Sequence, residues 1–200
     1  MKEKFSLIYV PDRLITPELF IDSVKADGLT LDYVPADIKT PELCMIAVKQ
    51  NGYALEFVPT VLRTFEICLT AVKQNRFALQ FVPRSLLTSK FYLEAVKHNA
   101  QILNDVPNAL KTAKMCEIAV ETNPYALHET PEQFKTYEMC LSAVKKDGWL
   151  LEDVPMHYRD ERLCMIAAQQ ATSILSLIPD EIRTPEICDA VTKDFRNEMI

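Results

Sequence analysis

Proline falls at positions 11, 35, 59, 83, 107, 131, 155 and 179, always 24 residues apart. A fixed period of this length constrains a chain more than composition does, because it demands one structural unit laid down again and again. The residues before these prolines are Val10, Val34, Val58, Val82, Val106, Thr130, Val154 and Ile178. Leucine recurs at 7, 31, 55, 79, 103, 127, 151 and 175. Threonine opens the cycle at 16, 40, 64, 88, 112, 136 and 184, with Asp160 taking the missing turn. No insertion breaks the register.

One unit, Thr40 to Leu62, reads TPELCMIAVKQNGYALEFVPTVL. Thr40 is a good helix N-cap, Pro41 suits the first helical position, and Glu42 sets negative charge on the positive end of the helix dipole. Leu43, Cys44, Ala47 and Val48 follow at i, i+1, i+4 and i+5, which marks one helical face. Asn51 can close this helix and cap a second, and Asn123-Pro124 supports that reading because proline fits directly after a cap. The second helix, near 52–57, is short, since the residue before Pro59 is pushed away from helical angles. Leu62 then points back inward.

A leucine-rich repeat also has this length, so its pattern is the rival. Laid on Leu43, Ile46, Val48 and Asn51, it fails at the second site, which reads Asp22, Ile46, Thr70, Glu94, Ile118, Ser142 and Ile166. A buried strand position does not tolerate those carboxylates. The neighbouring site is alanine at 47, 71, 95, 119, 143 and 167. Helical spacing holds and strand alternation does not. A leucine-rich-repeat-like binding module stays as the lesser alternative.

Each unit is too small to bury its own apolar face, so neighbours must stack. The expected fold is all-α: an α-solenoid of about seven and a half two-helix repeats forming a single helical-repeat domain over residues 1–200. Residues 1–15 make a partial repeat, 16–183 seven repeats, and 184–200 a capping helix whose Asp189 and Thr192 occupy sites that are usually apolar.

Composition then narrows the function classes. Hydrophobic residues make up 48% of the chain, ample for a packed core, and the formal net charge is −6. That charge argues against a general nucleic-acid or anionic-membrane binder, whose surface needs a positive footprint. It is unevenly spread: residues 1–100 hold twelve Lys/Arg and eleven Asp/Glu, residues 101–200 ten and seventeen. No apolar run reaches the roughly 18–20 residues of a membrane span. The first apolar stretch stops at Pro11, shorter than a signal peptide needs, so the chain is expected to begin at its true first element.

The residues that might carry chemistry fall mostly into repeat positions. Cys44, Cys68, Cys116, Cys140, Cys164 and Cys188 share one phase, which Phe20 and Tyr92 occupy elsewhere. A site interchangeable between cysteine and aromatic rings is a packing site, and stacked helices stand too far apart for disulfides. Buried free thiols in a reducing, cytoplasmic setting follow. His98, His128 and His157 lie in three different phases with no recurring ligand spacing. No catalytic, metal or cofactor site is expected.

Two basic ladders and one aromatic row remain. Lys25, Lys49, Lys73, Lys97 and Lys145 form the first ladder, interrupted by Glu121 and Gln169. Lys39, Arg63, Lys111, Lys135, Arg159 and Arg183 form the second, interrupted by Leu87. They read either as grips for phosphates or acidic peptides, or as cations compensating helix C-termini and solubilising turns; the structural role is favoured. Tyr53, Phe77, Tyr125 and Trp149, with Leu29, sit just after the second cap. They are either packing between repeats or interface anchors. Further along each unit Tyr33, Phe57 and Phe81 give way to Asp105, Glu129 and Asp153, an aromatic-to-acidic change along the chain. The candidate binding set is Tyr53, Phe77, Tyr125, Trp149, Lys49, Lys73 and Lys97.

The phrases TPELCMIAVKQNGYALEFVP and TFEICLTAVKQNRFALQFVP resemble a family of short bacterial tandem repeats catalogued only as a domain of unknown function, with units reading T-x-E-x-C-x-x-A-V-K-x-N-G-x-A-L-x-x-V-P. The likeness weakens at 160–179, where Ala168 and Ala171 replace valine and asparagine. The resemblance implies a bacterial array, met also in host-associated species and sometimes beside effector domains, where translocation into a host cell would arise. It implies no activity and no catalytic residue. The expected function is a non-catalytic scaffold for a protein or peptide partner, as an effector or regulator. A nucleic-acid or phospholigand binder using the basic ladders is the alternative.

Overall fold

The computed structural model describes residues 16–171 and 173–197, with side chains as far as 191. The partial repeat 1–15 and the side chain of Thr192 lie outside the described residues. Among those described, every regular element is helical and none is a strand. The fold is an all-α tandem repeat. Residues 41–50, where a leucine-rich repeat would need its strand, are α-helix instead, and that alternative falls.

The chain divides into two compact units, Met1–Asn99 and Ala100–Ile200. The first contains α1 (Pro17–Ala26), α2 (Pro41–Gln50), α3 (Phe65–Gln74) and α4 (Ser89–Val96). The second contains α5 (Ala113–Thr122), α6 (Tyr137–Val144), α7 (Glu161–Ala168) and α8 (Pro185–Asn197). Within each unit successive α-helices pack side by side. The shorter helices pack likewise: Gly28–Tyr33, Gly52–Phe57 and Arg76–Phe81 in the first unit, and Ala100–Asp105, Pro124–Leu127 and Gly148–Asp153 in the second.

Local chemistry explains where each element starts and stops. Thr40 Oγ1 accepts the Leu43 N–H at 3.2 Å, and Thr64, Thr88, Thr112, Thr136 and Thr184 do the same for their own helices. Asp160 keeps the bond when threonine is lost, accepting from Leu163 at 2.8 Å. At the other end Asn51 serves both neighbours. Its N–H donates to Ala47 O at 2.9 Å and so closes α2, while its side-chain oxygen accepts the Tyr53 N–H at 3.0 Å and so opens the next helix. The backbone at Asn51 is extended, φ −149°. Two helices therefore meet at one residue.

The second helix is 3₁₀ rather than α. Six residues between a cap and a pre-proline stop hold too few α-type bonds, whereas the tighter i→i+3 winding suits so short a piece. A three-residue 3₁₀ turn, such as Thr60–Leu62, follows Pro59, Pro83, Pro107, Pro131, Pro155 and Pro179. Leu62 and its equivalents are half-buried, not core.

The core is the expected one. Leu43, Cys44, Ala47 and Val48 of α2 are buried with Ala54 and Leu55 of the short helix and Val58 just after it, and most equivalents in other repeats are buried too. Alanine in the middle of the α-helix lets the neighbouring backbone come close. A Cβ on Gly52 would stand 2.4 Å from Ala71 O, one on Gly28 2.3 Å from Ala47 O, and one on Gly148 2.6 Å from Ala167 O. No glycine has positive φ. These positions need glycine for space, not for conformational freedom. Gly52→Ala is accordingly expected to cost about 1–3 kcal/mol through overpacking against a carbonyl that cannot swing away. Chemical denaturation would show it as a lower midpoint with unchanged slope.

Candidate functional site

The aromatic row is on the outside. Phe77 is 55% exposed, Tyr125 60%, Trp149 51%, and Tyr53 37%. Each is held by the cap that precedes it, since its own N–H donates to the Asn or Asp side chain at 3.0–3.2 Å. The cap pins the backbone and the ring projects from it. In the first unit, the side-by-side short helices set Leu29, Tyr53 and Phe77 in sequence along one surface. Tyr53 and Phe81 form a T-shaped pair with 6.3 Å between centroids, and the Arg76 guanidinium lies 4.8 Å from the Phe77 centroid. Tyr33 is exposed on the same helices. In the second unit, Tyr125 and Trp149 repeat the placement, and the Tyr125 hydroxyl donates to Asp147 Oδ2 at 2.8 Å. That bond raises the phenol's pKa. Gln101 and Ser173 take the row's other positions there, and both are exposed.

Lys49, Lys73 and Lys97 are exposed at the ends of their helices, four positions before the aromatic site. Lys97 Nζ meets Glu94 at 2.6 Å, and Lys25 meets Asp22 at 3.4 Å. This ladder is a solvated row of charge. The second ladder is different. Its cations are turned onto backbone carbonyls 18 residues further on: Lys39 to Phe57 O at 3.1 Å, Arg63 to Phe81 O at 2.7 Å, Lys111 to Glu129 O at 2.6 Å, Lys135 to Asp153 O, and Arg159 to Leu177 O at 2.6 Å. Arg63 also donates to Val58 O and Glu56 O, and Arg159 to Val154 O and Glu152 O. Lys111 is only 7% exposed. These side chains compensate carbonyls at the end of the next repeat's 3₁₀ helix, which the short winding leaves unbonded. A cation so engaged is not presented to a phosphate.

Gln74 links neighbouring repeats as well. Its amide donates to Gln50 O at 3.4 Å, while its carbonyl accepts the Gly52 N–H. Gln50 and Gln170 donate to Lys25 O and Lys145 O. The glutamines thus reach helix-end groups that a single repeat cannot satisfy alone.

Five cysteines are buried free thiols and Cys188 is half-exposed. Burial pushes Cys68, Cys140 and Cys164 up to about 11, and raises Cys44 and Cys116 too. His128 Nδ1 lies 2.9 Å from Asp153 Oδ1, and that hydrogen bond raises the imidazole pKa. Among the described residues, no three or more His, Cys, Asp or Glu side chains converge in a way that would hold a metal, and no helix is long and apolar enough to cross a membrane.

A concavity that the repeat pattern did not single out lies in the second unit. A groove of about 540 Å³ runs between α5 and α6, over Val120, Phe134 and Met139, with Glu117, Glu121 and Glu138 among its lining. Lys114 also lines it and pairs with Glu117 at 2.7 Å.

The family described as a domain of unknown function (DUF4116) matches residues 16–63, 40–87, 64–111 and 136–183, each window two repeats long. The chain belongs to this family. The windows cover more than two thirds of the sequence, and the repeat at 112–135 lies outside all of them. No curated protein and no solved structure showed a significant match.

Two outcomes follow. Arg63→Ala strands three carbonyls and is expected to lower stability by roughly 2–3 kcal/mol, while Arg63→Lys recovers part of that, as Lys39 and Lys111 each bond one carbonyl; thermal melts of both variants decide it. A thiol reagent should modify Cys188 first and the other five only on unfolding. Because the folded thiol pKa lies above the unfolded value near 9, its stability contribution is whole below pH 9 and is lost as pH rises towards 11. Cys68→Ala should therefore lose less stability across that window than the native chain.

Proposed function

We propose that this DUF4116 chain is a non-catalytic scaffold that binds a protein or peptide through its outward aromatic row. The supporting observation is that Tyr53, Phe77, Tyr125 and Trp149 are all exposed although the repeat has a complete core without them. Aromatic side chains bury large area at small entropic cost, and they dominate the energetics of protein interfaces. Their caps hold the backbone still, so little ordering is left for the moment of binding. The exposed Lys49, Lys73 and Lys97 would flank a partner in the first unit, favouring acidic residues beside its apolar contacts. In a bacterial setting such a molecule acts by occupancy, as a regulator or as an effector.

The phosphate-binding alternative is weaker because the second basic ladder is committed to backbone carbonyls. Photo-crosslinkers placed at 77 and 149 in the native host should trap a protein partner. Phe77→Ser or Trp149→Ser should weaken that partner by tenfold or more with an unchanged melting temperature. Undiminished binding by both variants would defeat the proposal.

A further inference from the structure

The groove between α5 and α6 owes its existence to a departure from the repeat. At the position of Glu117 the other repeats between 16 and 183 carry Ile21, Met45, Leu69, Leu93, Leu141 and Met165, and α8, which has no described repeat after it to cover, carries Asp189. In the first unit these apolar residues precede Leu43, Ile67 and Phe91 of the next repeat, all buried; in the second, Leu141 and Met165 precede Leu163 and Ile187, also buried. Met139, which follows Glu117, is only half-buried. Glu117 is exposed and its carboxylate is paired with Lys114. The side chain that would cover Met139 has been replaced by one that leaves it.

The same repeat changes the charge. Glu121 stands where Lys25, Lys49, Lys73, Lys97 and Lys145 stand elsewhere. The lining thus presents three carboxylates, Glu117, Glu121 and Glu138, against the single ammonium of Lys114, around a floor of Val120, Phe134 and Met139. Both departures fall in the repeat at 112–135 that the family pattern does not match. The flanking helices have eight to ten residues, which at about 1.5 Å per residue gives a groove some 12–15 Å long. A volume of about 540 Å³ is within the range of ligand clefts, and it takes one or two bulky side chains rather than a whole helix.

We infer that this groove is a docking site for a basic segment of a partner protein, one that inserts a leucine- or phenylalanine-like anchor between α5 and α6 and sets lysine or arginine against Glu121 and Glu138. The site uses none of the aromatic-row residues, and its test stands apart from theirs. An occupant without cations would leave Glu121 and Glu138 facing apolar surface unpaired, whereas an acidic one would be repelled.

The test uses the full chain and two fluorescent amphipathic peptides of one length, a Lys–Leu probe and its Glu–Leu counterpart, followed by anisotropy. The Lys–Leu probe should bind and the Glu–Leu probe should not. The double variant E121Q/E138Q should weaken the Lys–Leu probe about three- to tenfold, as expected for two partly exposed ion pairs. The equally discharged E132Q/E152Q, outside the groove, should leave it unchanged. Glu117→Leu restores the repeat pattern, so it should raise the melting temperature and abolish probe binding together. Equal binding of both probes, equal losses in the two double variants, or full binding by Glu117→Leu would each overturn the inference.

Discussion

A 24-residue repeat cannot satisfy its own helix ends, and that deficit determines how the neighbours join. At Asp27, Asn51, Asn75 and Asn123 the α-helix and the 3₁₀ helix share one cap residue, so the chain turns between them with no loop to spare. The 3₁₀ helix then ends with carbonyls that lack partners within the repeat. Arg63, Lys111 and Arg159 show the remedy: a cation at the end of one repeat bonds the carbonyl 18 residues on. Gln74 performs a related service at the α/3₁₀ junction. Because these bonds end on backbone, they enforce the register without prescribing which side chains lie outside it.

Glycine and alanine complete the same contact from the apolar side. Ala71 O sits where a Cβ on residue 52 would be, so the two repeats are as close as backbones allow. That closeness is local. Arg76, Ala100 and Pro124 occupy the glycine's position in other repeats, and the spacing there has to accommodate them. The polar clamp therefore recurs more faithfully than the glycine contact, although Leu87 interrupts it.

Much of this was legible in the sequence. Thr40, Pro41 and Asn51 announce their roles because capping is local chemistry, and the cysteine phase declares itself apolar because Phe20 and Tyr92 share it. The 3₁₀ winding could have been read from length: six residues between Asn51 and Val58 hold few α-type bonds, and the tighter winding suits so short a piece. The clamps were harder. Their acceptors are main-chain carbonyls, which leave no mark in a sequence, so the ladder's regularity revealed that it mattered without showing what it bonded. The aromatic row was ambiguous for a different reason. A ring after a cap can fold inward or outward, and only the completeness of the core, filled by Leu55 and Ala54, decides that Tyr53 points out. Glu117 was visible throughout as a carboxylate in a mostly apolar column, but its meaning depended on Met139 lying only half-buried one repeat later.

In a repeat protein, residues that keep the period answer to stacking, and function has to be sought where the period is free or broken. The aromatic row is free: its position lies beyond the cap, outside the core, and tolerates Leu29, Gln101 and Ser173 as readily as Trp149. The groove is broken: Glu117 gives up apolar contact that the same position supplies elsewhere in both units. An apolar side chain there would bury itself and its neighbour, a gain of order 1–3 kcal/mol. A single exposed ion pair with Lys114 returns less than that. The repeat at 112–135 is thus less stable than its own pattern would make it, while opening an acidic-walled space over an apolar floor. A surface that forgoes its own stability in this way is the place to look for a ligand that supplies the missing contacts.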